Sequence, residues 1–175
     1  RLEEASEILN ELLVLEPMNA EVHAQQANLY SKMNKHHRAI ELLQYALTLT
    51  DDASNIYALI AMEYLYVEDY TNAKNYFIKC LEQDPQDYTA LQQLVFCYEV
   101  LGDVQEATSF LNHYLDQNPY CEVAWYYLGR LYLAIGDYKN ALRCLDFAII
   151  SDDTFTGAYF EKARVLEAMN DYQKA

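Results

Sequence analysis

Six side chains of this 175-residue sequence are of the kinds that grip another polypeptide: Phe96, Tyr126, Tyr127, Arg130, Phe160 and Arg164. Aromatic rings and guanidinium groups dominate binding hot spots because they bury a large area at low entropy cost. Their spacing is regular. Arg164 follows Arg130 by 34 residues, Phe160 follows Tyr126 by 34, and Phe96 precedes Arg130 by 34. Two arginines so placed suit an acidic side chain or a C-terminal carboxylate. The alternative is that they pair with Glu99, Glu161 or Glu167 and only tie neighbouring elements together. The aromatics have an alternative too, as core residues or under a flanking helix.

No other grouping has a spacing that chemistry would use. There is no Gly-rich phosphate loop, no H-E-x-x-H and no G-x-S-x-G. His23, His36, His37 and His113 lack a paired acid and nucleophile. His23 reads as a packing residue, and His36-His37 as solvated surface at a turn. Cys80, Cys97, Cys121 and Cys144 form no C-x-x-C pair and have no His at zinc-ligand spacing, so they read as buried free thiols. An enzyme is therefore not expected, and neither a metal nor a cofactor.

The elements that must position these side chains follow from composition and phase. Over half of the residues are apolar, while Gly and Pro number only 4 and 3. A many-stranded fold needs frequent turn residues, so helices with short connections are expected. The net charge is −15, from 27 acids and 12 bases. That balance argues against a phosphate backbone and against anionic lipid as partners. No run approaches the roughly 20 apolar residues of a membrane span. The compartment stays open with the cytoplasm favoured, and the Tyr-rich acidic composition suggests a bacterial source.

Alanine recurs at Ala5, Ala39, Ala73, Ala107, Ala141 and Ala175, in unbroken steps of 34. Tyr30, Tyr64, Tyr98, Tyr132 and Leu166 run in the same phase. So do the terminators Pro17, Asp51, Pro85, Pro119 and Asp153. The segment Trp125-Tyr126-Tyr127-Leu128-Gly129-Arg130-Leu131-Tyr132 carries W-x-x-L-G-x-x-Y, and Ala73, Phe77 and Pro85 supply the second-helix pattern. Period and pattern together resemble the tetratricopeptide repeat family.

The resemblance implies an all-α, right-handed superhelical solenoid of antiparallel helix pairs, and covers essentially the whole chain. Its register gives a single array over 1–175: a second helix at 1–19, full repeats at 20–53, 54–87, 88–121 and 122–155, and a partial repeat at 156–175. Both ends then cut through a repeat, so a fragment of a longer array is expected. Within a repeat, apolar residues at i, i+3, i+4 and i+7 make facing stripes, such as Tyr57, Ile60, Ala61 and Tyr64 against Ala73, Phe77 and Cys80. The alanine column and the column Ala27, Ala61, Val95, Gly129, Ala163 allow close helix approach. Ser54 and Thr156 are expected N-caps. In the 88–121 repeat, Val95 replaces a small residue, Tyr114 stands among Leu12, Ala46, Cys80 and Ala148, and Val104 stands where His36, Tyr70, Tyr138 and Tyr172 occur. This reads as compensated core volume, with a local change of pitch as the alternative.

In this family first helices line the concave face. The resemblance therefore implies a groove with the columns Ala24, Ala58, Gln92, Tyr126, Phe160, then Asn28, Met62, Phe96, Arg130, Arg164, then Gln25, Leu59, Gln93, Tyr127, Glu161. The groove is expected to be small and polar at its N-terminal end and aromatic toward the C-terminal end. The lysines of the chaperone-tail clamp known in some family members are missing. The expected function is a protein- or peptide-binding scaffold within a larger protein. The alternative is a structural module that self-associates or docks within its own chain, through end faces holding Leu9 and Leu12 or Tyr159 and Leu166.

Overall fold

A computed structural model describes the backbone of residues 2–174, and the side chains of these residues except 2, 3, 54 and 171–174. Ala175 and the Tyr172 side chain, the last members of two columns, lie outside the described residues. Ten α-helices follow one another: α1 Leu2–Leu15, α2 Ala20–Lys32, α3 His36–Leu47, α4 Ser54–Tyr66, α5 Tyr70–Gln83, α6 Tyr88–Leu101, α7 Val104–Gln117, α8 Glu122–Ala134, α9 Tyr138–Ser151 and α10 Thr156–Lys174. The described residues contain no strand. The chain forms two compact units, residues 1–101 and 102–175, and the division falls inside the 88–121 repeat.

In unit 1, α2 packs on α3 and α4 on α5, while α3 and α5 also pack on the first helix that follows, α4 and α6. In unit 2, α8 packs on α9, and α10 packs on both. The small columns lie at the helix contacts. Ala39, Ala73, Ala107 and Ala141 have no exposed surface, nor do Ala27 and Ala61. A large side chain at any of these positions would push two helices apart. Gly129 shows how close the approach becomes. A Cβ there would lie 2.8 Å from Leu145 Cγ and 3.3 Å from the Ala141 carbonyl oxygen. Leu145, where the family prefers Phe, therefore sits directly on a glycine.

The turn inside each repeat has a shared backbone. Asn34, Glu68, Gly102 and Gly136 stand 34 apart and all have positive φ, between 57° and 78°. This left-handed residue ends the first helix as a C′ position does in a Schellman motif. The next amide donates back to the tyrosine ladder: Lys35 N to Tyr30 O, Asp69 N to Tyr64 O and Asp137 N to Tyr132 O, each at 2.9 Å. In phase, the next turn falls at Asn170. There α10 continues as one 19-residue helix.

Ser54 and Thr156, the expected caps, are instead the first residues of their helices. Helix α4 begins at Ser54 itself, with Ala53 in the cap position and no side-chain cap bond. The Ser54 side chain lies outside the described residues. Helix α10 likewise begins at Thr156. Side-chain caps are formed by Asn19, which accepts from Glu21 N and Val22 N, by Asp69, Asp87 and Asp137, which accept from Asn72 N, Ala90 N and Asn140 N, and by the Cys121 thiol, which accepts from Ala124 N. Asn is the third residue of two of these helices, in phase, and each Asn side-chain amide also donates to its Asp cap at 2.7 Å.

One further column ties three of the first helices, α2, α8 and α10, to the segment that follows the preceding second helix. His23 Nε2 lies 2.9 Å from Pro17 O, Trp125 Nε1 donates to Pro119 O at 2.8 Å, and Tyr159 OH donates to Asp153 O at 3.1 Å. A carbonyl oxygen only accepts, so the His23 proton is on Nε2 and Nδ1 is a buried acceptor without a partner. Three different rings thus meet one structural demand, a donor for the loop carbonyl two residues past a helix end. His36 departs from its reading as solvated surface. Its Nδ1 lies 2.8 Å from Oε2 of the buried Glu63, and its ring stacks on Tyr66. The pairing satisfies a carboxylate that would otherwise be buried alone.

Candidate protein-binding surface

Five of the six candidate side chains lie in unit 2. Helix α8 carries Tyr126, Tyr127 and Arg130, and α10 carries Phe160 and Arg164. Spacing along α8 puts Arg130 one turn beyond Tyr126 and Tyr127, on the same face. Its guanidinium carbon lies 5.8 Å from the Tyr126 ring centre and 5.7 Å from that of Tyr127. Such stacking orients the planar cation and limits its rotamers. Tyr126 meets Tyr127 and Phe155 edge-on, each at 5.2 Å between ring centres. It also lies against Gly157, where a Cβ would be 3.4 Å from Tyr126 Cε2. Tyr126 therefore also holds α8 to the start of α10.

The other members differ sharply in exposure. Tyr127 is 9% exposed and works mainly as a support. Phe160 is 75% exposed, a large ring facing solvent. Arg164 is exposed but engaged. Its Nη1 donates to both carboxylate oxygens of Glu161 at 2.9 Å, and Glu161 is largely buried. The pairing with Glu161 weighed from sequence is therefore formed. It leaves most of the guanidinium facing solvent, its side chain being 65% exposed.

Phe96 lies in unit 1, half-exposed on α6, where the Tyr70 ring meets it edge-on at 6.0 Å. The first helices of unit 1 carry more apolar surface than expected. Leu59 and Tyr66 on α4, and Phe96 and Val100 on α6, are all exposed. The small, polar face expected toward the N-terminus is thus found on α2, with Ala24 and Asn28, and does not extend to α4. Tyr66 and Val100 lie outside the three columns read from the sequence. Phe155 and Tyr70 were missed as partners of the candidate residues, whereas Glu161, one of the three acids read as possible partners, is the one Arg164 engages.

The thiols are shielded. All four cysteines are free and buried. Burial pushes the thiols of Cys80 and Cys144 up to about 12 and that of Cys97 up to about 11. No group of three or more His, Cys, Asp or Glu among the described residues could hold a metal ion. No helix among them is long and apolar enough to cross a membrane.

Models of the tetratricopeptide repeat match residues 22–57, 64–122 and 124–175. The chain belongs to the tetratricopeptide repeat family. No match is found among curated proteins. Among solved structures, the chain is similar to YrrB, described as a TPR protein with an unusual peptide-binding site, at TM-score 0.66 and 23% identity over 93% of this chain and 84% of that one. It is similar to the C-terminal part of a TPR repeat-containing protein from Cytophaga hutchinsonii at TM-score 0.75 and 15% identity, over 99% and 68%. It also resembles a chain of the Naa15/Naa10 complex bound to HypK-THB, at TM-score 0.66 and 19% identity, over 99% of this chain and 27% of that one. At these identities the likeness is one of fold.

Proposed function

We propose that the chain is a protein- or peptide-binding scaffold with no catalytic role of its own. In this reading the first-helix face of unit 2 grips the ligand through Tyr126, Arg130, Phe160 and Arg164, with Tyr127 as support, and Phe96 marks the first-helix face of unit 1. The observation that carries it is the Arg130 guanidinium held over two tyrosine rings, with an exposed phenylalanine on the neighbouring first helix. An oriented cation beside a large exposed ring suits a peptide that pairs an acidic group with an apolar side chain. The peptide-binding site named for YrrB and the partner-bound state of Naa15 support an interaction role.

The test is phage display of random dodecapeptides on the immobilised chain, followed by affinity measurement on enriched peptides. The double variant Arg130→Ala/Phe160→Ala is expected to bind them at least about tenfold more weakly, since one hot-spot residue contributes about 2 kcal/mol. A matching circular dichroism spectrum checks its fold. Equal affinity for the two proteins would place the ligand elsewhere.

A further inference from the structure

The α4–α5 pair of unit 1 and the α8–α9 pair of unit 2 differ at one point of their packing. In the α4–α5 pair the Tyr76 ring stacks on Tyr64 at 5.7 Å between centres and lies 6.1 Å from Tyr57. Gln44 donates to the Tyr64 hydroxyl at 3.1 Å, and the Lys79 ammonium sits 4.7 Å from the Tyr76 ring centre. Sixty-eight residues on, the places of Tyr57, Tyr64, Gln44 and Lys79 hold Trp125, Tyr132, Asn112 and Phe147. The place of Tyr76 holds Cys144. The rest of that column is Ile8, Leu42 and Phe110, so Cys144 is its smallest member.

The volume given up by the smaller side chain is open. A hollow of about 170 Å³ lies beside Cys144, walled by Trp125, Tyr132 and Phe147. An apolar cavity of about 150 Å³ takes up a benzene ring. Asn112, Asn140 and Arg143 supply the polar lining. Asn112 uses one amide N–H on Thr108 O and Asn140 uses one on Asp137, which leaves each with a second. Arg143 is exposed at the rim and makes no hydrogen bond or ion pair among the described residues. It is the one charged group of the lining among them. The acids of the three helices stand outside: Glu106 and Asp116 on α7, Glu122 on α8, Asp146 on α9, and Asp137 at the start of α9. Asp146 is paired with Lys162 at 2.6 Å, and Asp137 caps α9.

We propose that this hollow is a binding site for a small aromatic carboxylate, a single six-membered ring with its acid group. The ring takes the place that Tyr76 fills in the α4–α5 pair, stacked on Tyr132 as Tyr76 stacks on Tyr64. The carboxylate meets the Arg143 guanidinium, whose fork of donors fits its two oxygens, with the asparagine amides beside it. A few polar groups at the edge of an apolar hollow are what fix the orientation of a small ligand. The occupant is a free small molecule because the ring of a partner's Phe or Tyr carries no acid and would leave Arg143 unpaired.

The test is titration of the full chain with benzoate, followed at Trp125. This is the chain's single tryptophan, so its indole N–H gives one peak in a proton–nitrogen correlation spectrum. Benzoate is expected to shift that peak saturably, with a dissociation constant of about 1 mM or lower. Benzamide, with the same ring and no charge, is expected to bind at least about tenfold more weakly, and acetate, with no ring, to give no saturable shift. Arg143→Gln, at an exposed position, is expected to weaken benzoate binding at least about tenfold. Cys144→Tyr restores the ring of the α4–α5 pair and is expected to abolish binding, with circular dichroism as the check on its fold. Should that variant fail to fold, Arg143→Gln still decides. The absence of a saturable shift with benzoate overturns the proposal. So does benzamide or acetate matching benzoate, or either folded variant binding benzoate like wild type. Arg143 and Cys144 are not among the peptide-binding residues proposed above, so each idea can fail without the other.

Discussion

The α2–α3 pair of unit 1 and the α8–α9 pair of unit 2 have one plan and different parts. At the close contact, Ala27 faces the second helix in one and Gly129 in the other. At the ring position, His23 meets Tyr45 edge-on at 4.8 Å, whereas Trp125 stacks on Phe147 at 4.7 Å. Both rings donate to the carbonyl six residues earlier. What repeats is therefore a set of geometric demands: a small residue, a flat donor and a left-handed turn. Residue identity adjusts the approach of the helices. The glycine admits Leu145 where a methyl could not sit, and the alanine sets its pair at a spacing that accommodates its own Cβ.

The largest effect expected from this comparison is at the leucine. Leu145→Ala should destabilise unit 2 by about 3 kcal/mol in urea unfolding, and Leu43→Ala should do much the same in unit 1, since both are sealed core leucines. Gly129→Ala should destabilise by about 1–2 kcal/mol, because overpacking outweighs the gain in helix propensity. In the Leu145→Ala background the same change should turn neutral or stabilising. A Gly129→Ala chain that is simply more stable would break the contrast between the two pairs. The donor rings come next. Trp125→Phe should lose about 1 kcal/mol by leaving the Pro119 carbonyl unmet. His23→Phe should lose less, because it also removes the unpartnered Nδ1. Equal losses would show that the orphaned nitrogen has no energetic weight.

The turns offer a third contrast. Glu68→Gly should stabilise unit 1 by about 1 kcal/mol by relieving a left-handed backbone on a residue with a side chain, and Gly136→Ala should destabilise unit 2 by about as much. Thermal midpoints read both. The smallest effect at neutral pH is at the thiols, where native Cys80, Cys97 and Cys144 should resist a maleimide at pH 8 and label on unfolding. Their folded values lie above the ordinary thiol value near 9, so between about pH 9 and 12 the folded chain holds more protons than the unfolded one. Stability should then fall as pH rises through that window. Urea midpoints from pH 8 to 11 check the sign.

Much of this was legible in the sequence because sterics repeats faithfully. An alanine every 34 residues has one physical reading, and the second-helix alanines from Ala39 to Ala141 are sealed as that reading requires, while Ala5 on α1 is half-buried. The candidate surface was legible in chemistry and less so in exposure. Periodicity puts Tyr127 and Phe160 on first helices but does not say what covers them. Tyr127 is covered and Phe160 is not. His36 was misread because its partner, Glu63, is 27 residues away and the two columns meet only once helices pack. Residue type alone did not place the caps: Ser54 and Thr156 are the first residues of α4 and α10, while a cysteine thiol caps α8.

The four turns in phase say something about how such a chain is made. The backbone reverses at residues 34, 68, 102 and 136, through an asparagine, a glutamate and two glycines alike. Chain reversal thus depends on docking more than on the residue at the bend. During synthesis each newly emerged first helix would remain a straight rod, and it would fold back only when the next dozen residues left the ribosome and found its small-residue stripe. Assembly then proceeds by hairpins closed one after another from the N-terminal side, each completed template receiving the next. Amide exchange along ribosome-bound chains of increasing length would reveal that stepwise closure as protection gained one helix late.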